Sequence, residues 1–128
     1  MSARSKYVIR AEEVTPYSPA NHSGTKNYRL VGPTVNGAKA MEIVLGDIER
    51  NEGALPHAHP DLEQAAYILE GEALSVVDGV EHHVKPGDMC FFPANVFHSI
   101  KVLTERLKVL VVYSPPYGES PDKVIKSK

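Results

Sequence analysis

Short apolar segments separated by turn-forming residues fill most of the sequence between residues 28 and 113. The segments are strand-length, and the residues between them leave no room for a helix that could join parallel strands. Regular short strands with frequent turns are typical of an antiparallel sandwich or barrel, so the pattern predicts an all-β fold. The predicted strands cover residues 28–31, 39–48, 65–69, 89–92, 98–103 and 107–113.

Two dipeptides in this region favour tight hairpin turns. Asn36-Gly37 and Asp78-Gly79 each combine residues that tolerate positive φ, which both central positions of a type I′ turn require. With ten prolines and nine glycines in the chain, turn-forming residues are plentiful. We therefore expect a hairpin at each dipeptide.

The chain of 128 residues is long enough for one domain with a hydrophobic core. Residues 1–26 are polar and without a sustained period, and residues 115–128 carry few strand or helix signals. We expect an N-terminal arm at 1–26, a barrel at 27–114 and a C-terminal tail at 115–128.

Charge and composition exclude several classes of protein. A formal net charge of −2 provides no basic field for a phosphate backbone, so we expect no nucleic-acid partner. The longest apolar runs are far shorter than a membrane span, and the first residues lack the apolar stretch of a secretory signal. A single cysteine, Cys90, cannot form an internal disulfide. The cytoplasm is the expected location.

Three histidines carry the candidate chemistry. His57 and His59 are two residues apart, so on an extended strand both imidazoles point to one face and can reach a common metal ion. His98 begins a clean alternation in which it shares a face with apolar residues, which predicts an inward imidazole that needs a partner. A metal ion is one such partner.

A fourth ligand is not fixed by spacing alone. Pro60 removes a ladder donor and commonly marks a bend, so the phase of the strand can be reset after His59. Either Glu63 or Gln64 could then face the metal.

The sequence resembles the cupin superfamily in two motifs covering residues 53–102. The first is Gly53…His57-x-His59-x4-Gln64-x6-Gly71, and the second is Gly79…Pro86-Gly87-Asp88…Pro93-x4-His98. The resemblance implies a double-stranded β-helix, or jelly-roll, barrel and a divalent transition metal (Fe, Mn, Ni, Zn or Cu) held by His57, His59, Gln64 and His98. Gln64 stands where the family usually has Glu, which weakens any transfer of function from the Glu-bearing members. Small cupins also commonly pair, so the resemblance implies a homodimer and a small-molecule substrate.

Three imidazoles and an amide are neutral ligands, so a bound ion would keep its full +2 charge. This favours Lewis-acid chemistry on a carbonyl, enol or carboxylate substrate, as in an isomerase, lyase or decarboxylase. Two alternatives remain: an Fe(II) dioxygenase of the cupin type, and a cupin that binds a small ligand without catalysis. No catalytic residue beyond the metal ligands is assigned.

The remaining polar candidates have structural explanations. Adjacent residues His82 and His83 point to opposite faces of a strand and favour the surface, and His22 lies in the polar arm. Cys90 in an apolar strand is typical of a small core residue. The arginines that could contact an anionic substrate, each expected to be solvated, are Arg29, Arg50 and Arg106.

Overall fold

The computed structural model describes residues 5–19 and 22–126, with side chains described from residue 24 onward in the second range. Nine strands and two short 3-10 turns occur in these ranges, and no helix there is long and apolar enough to cross a membrane. The strands are β1 His22–Val31, β2 Glu42–Ala58, β3 Glu63–Glu70, β4 Ala73–Val77, β5 Val80–Val84, β6 Met89–Phe92, β7 His98–Val102, β8 Arg106–Ser114 and β9 Ile125–Lys126. The 3-10 turns are Ala11–Glu13 and Pro121–Lys123.

All strands join one curled antiparallel sheet in the order β5-β4-β7-β2-β8-β3-β6, and both β1 and β9 pair with β2. The predicted all-β barrel is confirmed. The predicted strand at 39–48 is one end of a 17-residue strand that continues to Ala58.

Strand β2 organises the barrel because its two halves pair with different strands. Residues 42–49 pair with β8, whereas Gly53, Ala54 and His57 pair with β7. Gly53 has a φ of 144°, and a Cβ there would lie 2.2 Å from the carbonyl oxygen of Ile100. A glycine is therefore required where β2 changes partner and the sheet curls.

The core lies inside the curl and follows from period-2 alternation. The inward residues of the first half of β2 include Val44, Gly46 and Ile48, with Asp47 and other alternate residues facing outward. The inward residues of β8 alternate in the same way with Leu107 fully buried. This pattern gives a core dominated by aliphatic side chains from β2, β3 and β8.

One of the two predicted hairpin turns is confirmed. Asp78 and Gly79 have φ values of 51° and 78°, which are the signs that a type I′ turn needs. At Asn36-Gly37 only Gly37 has a positive φ, and the connection between β1 and β2 extends over residues 32–41. The type I′ prediction at Asn36 is wrong because the longer loop places the glycine outside a two-residue turn.

Regular structure extends into both segments that the sequence placed outside the barrel. Strand β1 begins at residue 22, within the predicted arm, and β9 lies in the predicted tail and pairs with His57 and Ala58 of β2. The division at 1–26, 27–114 and 115–128 stays a prediction.

Candidate metal centre

The three sequence-predicted histidines meet at one place in the barrel. His57 lies near the end of β2 and pairs across the sheet with His98, the first residue of β7, while His59 follows directly after β2. All three side chains are buried. One nitrogen from each ring lies within 4.8 Å of the others, which is a separation that a single metal ion can bridge.

Each imidazole is oriented by a backbone carbonyl at its Nδ1. The three Nδ1 atoms donate at 2.7 Å from His57 to Leu55, at 2.8 Å from His59 to Lys123, and at 3.3 Å from His98 to Val96. A carbonyl oxygen only accepts, so the proton of each neutral ring is on Nδ1. The Nε2 lone pairs are therefore the ones available to a metal.

Burial keeps two of the three rings, those of His57 and His59, in the neutral form that a metal needs. Burial lowers the pKa of His59 to about 4, with the Lys123 carbonyl opposing the shift. It also lowers the pKa of His57. Near neutral pH these imidazoles carry no proton that a metal ion would have to displace.

The turn before β3 places Glu63 and Gln64 differently relative to the histidines. Strand β2 ends at Ala58, Asp61 takes a φ of 64°, and β3 begins at Glu63, so the phase of β2 does not continue. Glu63 is exposed, whereas Gln64 lines the same internal cavity as His57 and His98. On an uninterrupted strand only odd-numbered residues would share a face with His57 and His59. The break in the strand at Pro60 and Asp61 allows Gln64, an even-numbered residue, to face the same cavity as His57.

Two buried atoms at this place need a partner. His59 Nε2 and Gln64 Oε1 are inaccessible to solvent and have no hydrogen-bond partner. Both atoms are acceptors, so the group that satisfies them must be a donor or a cation. An unsatisfied buried acceptor is costly, and a shared metal ion would satisfy both. The side chains therefore fit the metal that the sequence predicts.

A cavity of about 40 Å³ lies beside the histidine cluster. His57, His98 and Gln64 contribute to its wall, and most of the rest is apolar. Its other lining residues are Asn27, Gly46, Ile48, Ala54, Ala66, Phe92, Ser99, Ile100, Val109, Val111 and Tyr113. The cavity gives a small molecule a place beside the histidines.

The C-terminal segment, residues 115–126, packs against His59. The Tyr117 ring lies 4.6 Å from the His59 ring, centroid to centroid, and the Lys123 carbonyl accepts the His59 Nδ1–H. The Lys123 ammonium also donates to the Pro116 carbonyl at 2.8 Å, which links the two ends of the segment. The segment thus helps to fix the orientation of one of the three imidazoles.

Glu42 anchors this segment from inside the barrel. Its carboxylate is 2% exposed and accepts hydrogen bonds from the backbone N–H groups of Tyr117 and Gly118 at 3.0 and 2.8 Å. It also pairs with Arg29 Nε at 2.7 Å. The role of Glu42 was not predicted from the sequence. It could have been suspected because Glu42 is an acidic residue on the same face as the inward residues of β2.

The remaining candidates lie away from the histidine cluster. His82 and His83 are exposed, as predicted, and His83 contacts Glu72 at 2.8 Å. Cys90 is buried in the core, and the His22 side chain lies outside the described residues. The arginines are also accounted for: Arg29 pairs with Glu42, Arg106 pairs with Asp47, and Arg50 is exposed.

The relatives of this chain among known proteins include two that align over most of its length. An uncharacterized protein of Methanocaldococcus jannaschii, MJ1618, is 25% identical over 122 residues, which cover 93% of this chain and 96% of that protein. Quercetin 2,3-dioxygenase of Bacillus subtilis is 27% identical over 93 residues, which cover 73% of this chain. This second match spans only 28% of the length of the dioxygenase.

Comparison of structures and of family models agrees on the fold. A solved structure described as a predicted oxalate decarboxylase from Thermotoga maritima superposes with a TM-score of 0.74 at 25% identity, covering 85% of this chain and 99% of that one. The family model for the cupin domain matches residues 44–113, which is more than half of the chain. This chain therefore belongs to the cupin family, and its fold is the double-stranded β-helix barrel of that family.

Proposed function

We propose that His57, His59, His98 and Gln64 hold a divalent transition metal. The observation that carries the proposal is the convergence of three buried imidazoles, whose Nδ1 atoms all bond carbonyl oxygens. The unsatisfied Oε1 of Gln64 lines the same cavity and gives the fourth ligand. Nitrogen ligands of this kind suit Fe, Mn, Ni, Zn and Cu.

We propose further that the protein is an enzyme acting on a small oxygenated substrate, a carbonyl, enol or carboxylate compound. When bound, the metal supplies Lewis acidity that polarises the oxygen of such a substrate. The four neutral side chains leave its charge uncompensated, which favours isomerase, lyase or decarboxylase chemistry. The apolar cavity limits the water that reaches the substrate.

Tyr113 is one of the cavity side chains, together with Asn27 and Ser99, that could donate a hydrogen bond to the substrate. Burial raises the pKa of Tyr113 well above its ordinary value, so the phenol stays protonated at neutral pH. A protonated phenol can donate to a substrate oxygen but cannot act as a base. This assigns Tyr113 to orienting the substrate.

A second candidate function is an Fe(II) dioxygenase. The specific observation in its favour is the 27% identity to the quercetin 2,3-dioxygenase of Bacillus subtilis. Oxygen consumption on a panel of enols, ketones and hydroxy acids separates the two functions. The non-oxidative function predicts turnover that is equal with and without oxygen, and turnover that requires oxygen would replace it with the dioxygenase.

The metal is tested by elemental analysis of protein purified without added metal. We expect near-stoichiometric transition metal in the wild type and little in the His57→Ala/His59→Ala variant. The matched control is His82→Ala/His83→Ala, which removes two imidazoles at the surface and is expected to retain the metal. Equal metal in the wild type and the His57→Ala/His59→Ala variant would place the site elsewhere.

We also propose a homodimer, with the N-terminal residues contributing to its interface. Gel filtration at micromolar concentration tests this proposal, and a strict monomer would contradict it. A metal-loaded protein that binds small ligands but converts none would support the non-catalytic alternative. The cytoplasmic location stays a prediction.

A further inference from the structure

We propose that the part of the substrate beside the metal is small and uncharged, and that Gly46 sets how much room it has. This inference rests on the proposed metal-dependent function and deepens it by naming the substrate class. The class is an oxygenated compound that presents a carbonyl or enol oxygen to the metal and a short hydrocarbon or neutral group to the cavity.

The wall of the cavity is suited to an uncharged group. None of its lining residues is a lysine, arginine, aspartate or glutamate, and apart from the ligands its polar side chains are Asn27, Ser99 and Tyr113. Apart from the group that binds the metal, a carboxylate or phosphate in such a cavity would lose its water without gaining a counter-charge from the wall, which strongly disfavours binding. An uncharged group pays no such penalty.

The described arginine side chains lie away from the cavity or are paired with carboxylates. The described guanidinium groups are occupied or at the surface, since Arg29 bonds the buried Glu42 and Arg106 bonds Asp47. Arg50 is exposed on β2, and it does not line the cavity. Residues 5–19 and 22–126 therefore supply no arginine that could neutralise a second anionic group of the substrate inside the barrel.

A glycine on β2, Gly46, forms part of the cavity wall. Gly46 is buried, and its φ lies outside the left-handed region, so its backbone conformation does not require glycine. A Cβ there would lie 3.1 Å from Val109 Cγ1 and 3.3 Å from Asn27 Oδ1, and both of those residues line the cavity. A strand glycine without a conformational role often marks close approach of a ligand. A methyl group at position 46 would have to displace the Val109 and Asn27 side chains, so the glycine preserves the shape of the cavity.

The size of the cavity agrees with a short group. Its volume of about 40 Å³ accommodates the centres of roughly three water-sized molecules. A chain of two or three carbons is of that size, whereas a sugar ring is not. Specificity would then come from the uncharged wall and from the neutral hydrogen-bonding groups of Asn27 and Tyr113.

The test compares two hydroxamic acids that share a metal-binding head and differ in the tail. Butyrohydroxamic acid ends in a methyl group, and succinic monohydroxamic acid ends in a carboxylate. Each is titrated calorimetrically into Ni²⁺-loaded protein whose nickel content has been measured. We expect the methyl tail to bind at least about tenfold more tightly, because the carboxylate would be desolvated without a counter-charge.

The same titrations on Gly46→Ala test the second half of the proposal. We expect unchanged nickel content and roughly tenfold weaker binding of butyrohydroxamic acid, because a methyl group takes up part of the cavity. Gly32→Ala is the matched control, since Gly32 also has no positive φ and a Cβ there meets only Glu42 Cγ at an ordinary 3.6 Å. We expect that variant to bind like the wild type.

The outcomes separate this inference from the proposed function. Wild-type protein that takes up no nickel at the histidines would overturn the metal centre itself. Nickel-loaded wild type that binds the two probes equally, prefers the carboxylate or binds neither would overturn the inference alone. If Gly46→Ala does not fold, as judged by its thermal melt, the comparison of the two probes on the wild type still decides the substrate class.

Discussion

Replacing Glu42 with Gln tests whether a buried carboxylate holds the C-terminal segment against the metal centre. Glu42 accepts three hydrogen bonds, two from the backbone of residues 117 and 118 and one from Arg29. Bonds to a charged group contribute about 1.5–3 kcal/mol each and are roughly twice as strong as neutral ones. Gln keeps the shape and one acceptor oxygen but loses the charge.

The expected loss of stability follows from these contacts. The two backbone bonds keep an acceptor and lose about half of roughly 2 kcal/mol each, whereas the Arg29 bond of about 2 kcal/mol is lost because the amide NH2 that faces Arg29 cannot accept. The sum is about 4 kcal/mol. Arg29 is 27% exposed and regains some hydration when its partner is neutral, which reduces this loss. We therefore expect a decrease of about 2–3 kcal/mol in the free energy of unfolding. With a urea dependence of roughly 2 kcal/mol per molar, the unfolding midpoint falls by on the order of 1 M.

The same variant has a second readout at the metal. The Lys123 carbonyl that accepts the His59 proton belongs to the segment that Glu42 anchors. Loss of such an orienting partner typically weakens metal binding by about 10- to 100-fold, so Glu42→Gln is expected to bind Ni²⁺ more weakly by calorimetry. A general loss of stability without loosening of the segment would leave the affinity of the folded protein unchanged.

Glu63→Gln is the matched control, because Glu63 is an exposed carboxylate next to a proposed ligand. We expect its stability to lie within about 0.5 kcal/mol of the wild type. Urea unfolding of both variants, followed by circular dichroism, measures the difference. If Glu42→Gln is as stable as Glu63→Gln and binds nickel like the wild type, Glu42 does not anchor the C-terminal segment.

Three further predictions concern the curl of the sheet, a buried phenol and the fourth ligand. Gly53→Ala is expected to cost about 3 kcal/mol because the new Cβ would meet the Ile100 carbonyl oxygen and the φ of 144° is unsuited to alanine; a thermal melt matching the wild type would contradict this. Burial raises the pKa of Tyr17 to about 12. The protonated phenol therefore makes its full contribution to the free energy of unfolding below the ordinary pKa of 10, and this contribution is lost as the pH rises from 10 towards 12. The 295 nm difference between wild type and Tyr17→Phe should therefore titrate near pH 12, and a midpoint near 10 would show an exposed phenol. Gln64→Glu is expected to bind Mn²⁺ at least about tenfold more tightly because it adds a carboxylate ligand, whereas Glu63→Gln should leave calorimetric affinity unchanged; equal affinities in all three proteins would remove Gln64 from the site.

The sequence alone predicts the parts of this protein that depend on local pattern. Alternation along β7 predicts an inward His98, and the spacing of two residues between His57 and His59 predicts that they lie together, which they do at the end of β2. The turn at Asp78-Gly79 follows from residues that tolerate positive φ. These features are local because one strand or one turn determines each of them.

Other features depend on contacts between distant residues, which a single sequence does not reveal. Tyr117 reaches Glu42 across 75 positions, and the Lys123 carbonyl reaches His59 across 64. The C-terminal residues have little strand or helix pattern of their own because they are held by these partners. The side of β3 on which the Gln64 side chain lies similarly depends on the turn at Asp61. The sequence does not require a positive φ at that residue.

We propose that three imidazoles and an amide bind one metal ion inside the barrel. An anomalous difference map, recorded from crystals at the absorption edge of the metal found by elemental analysis, would locate that ion. We expect one strong peak at bonding distance from the Nε2 atoms of His57, His59 and His98 and from Gln64 Oε1. A map with no peak among these atoms, or with its peak at the surface histidines His82 and His83, would show that these four residues do not form the metal site.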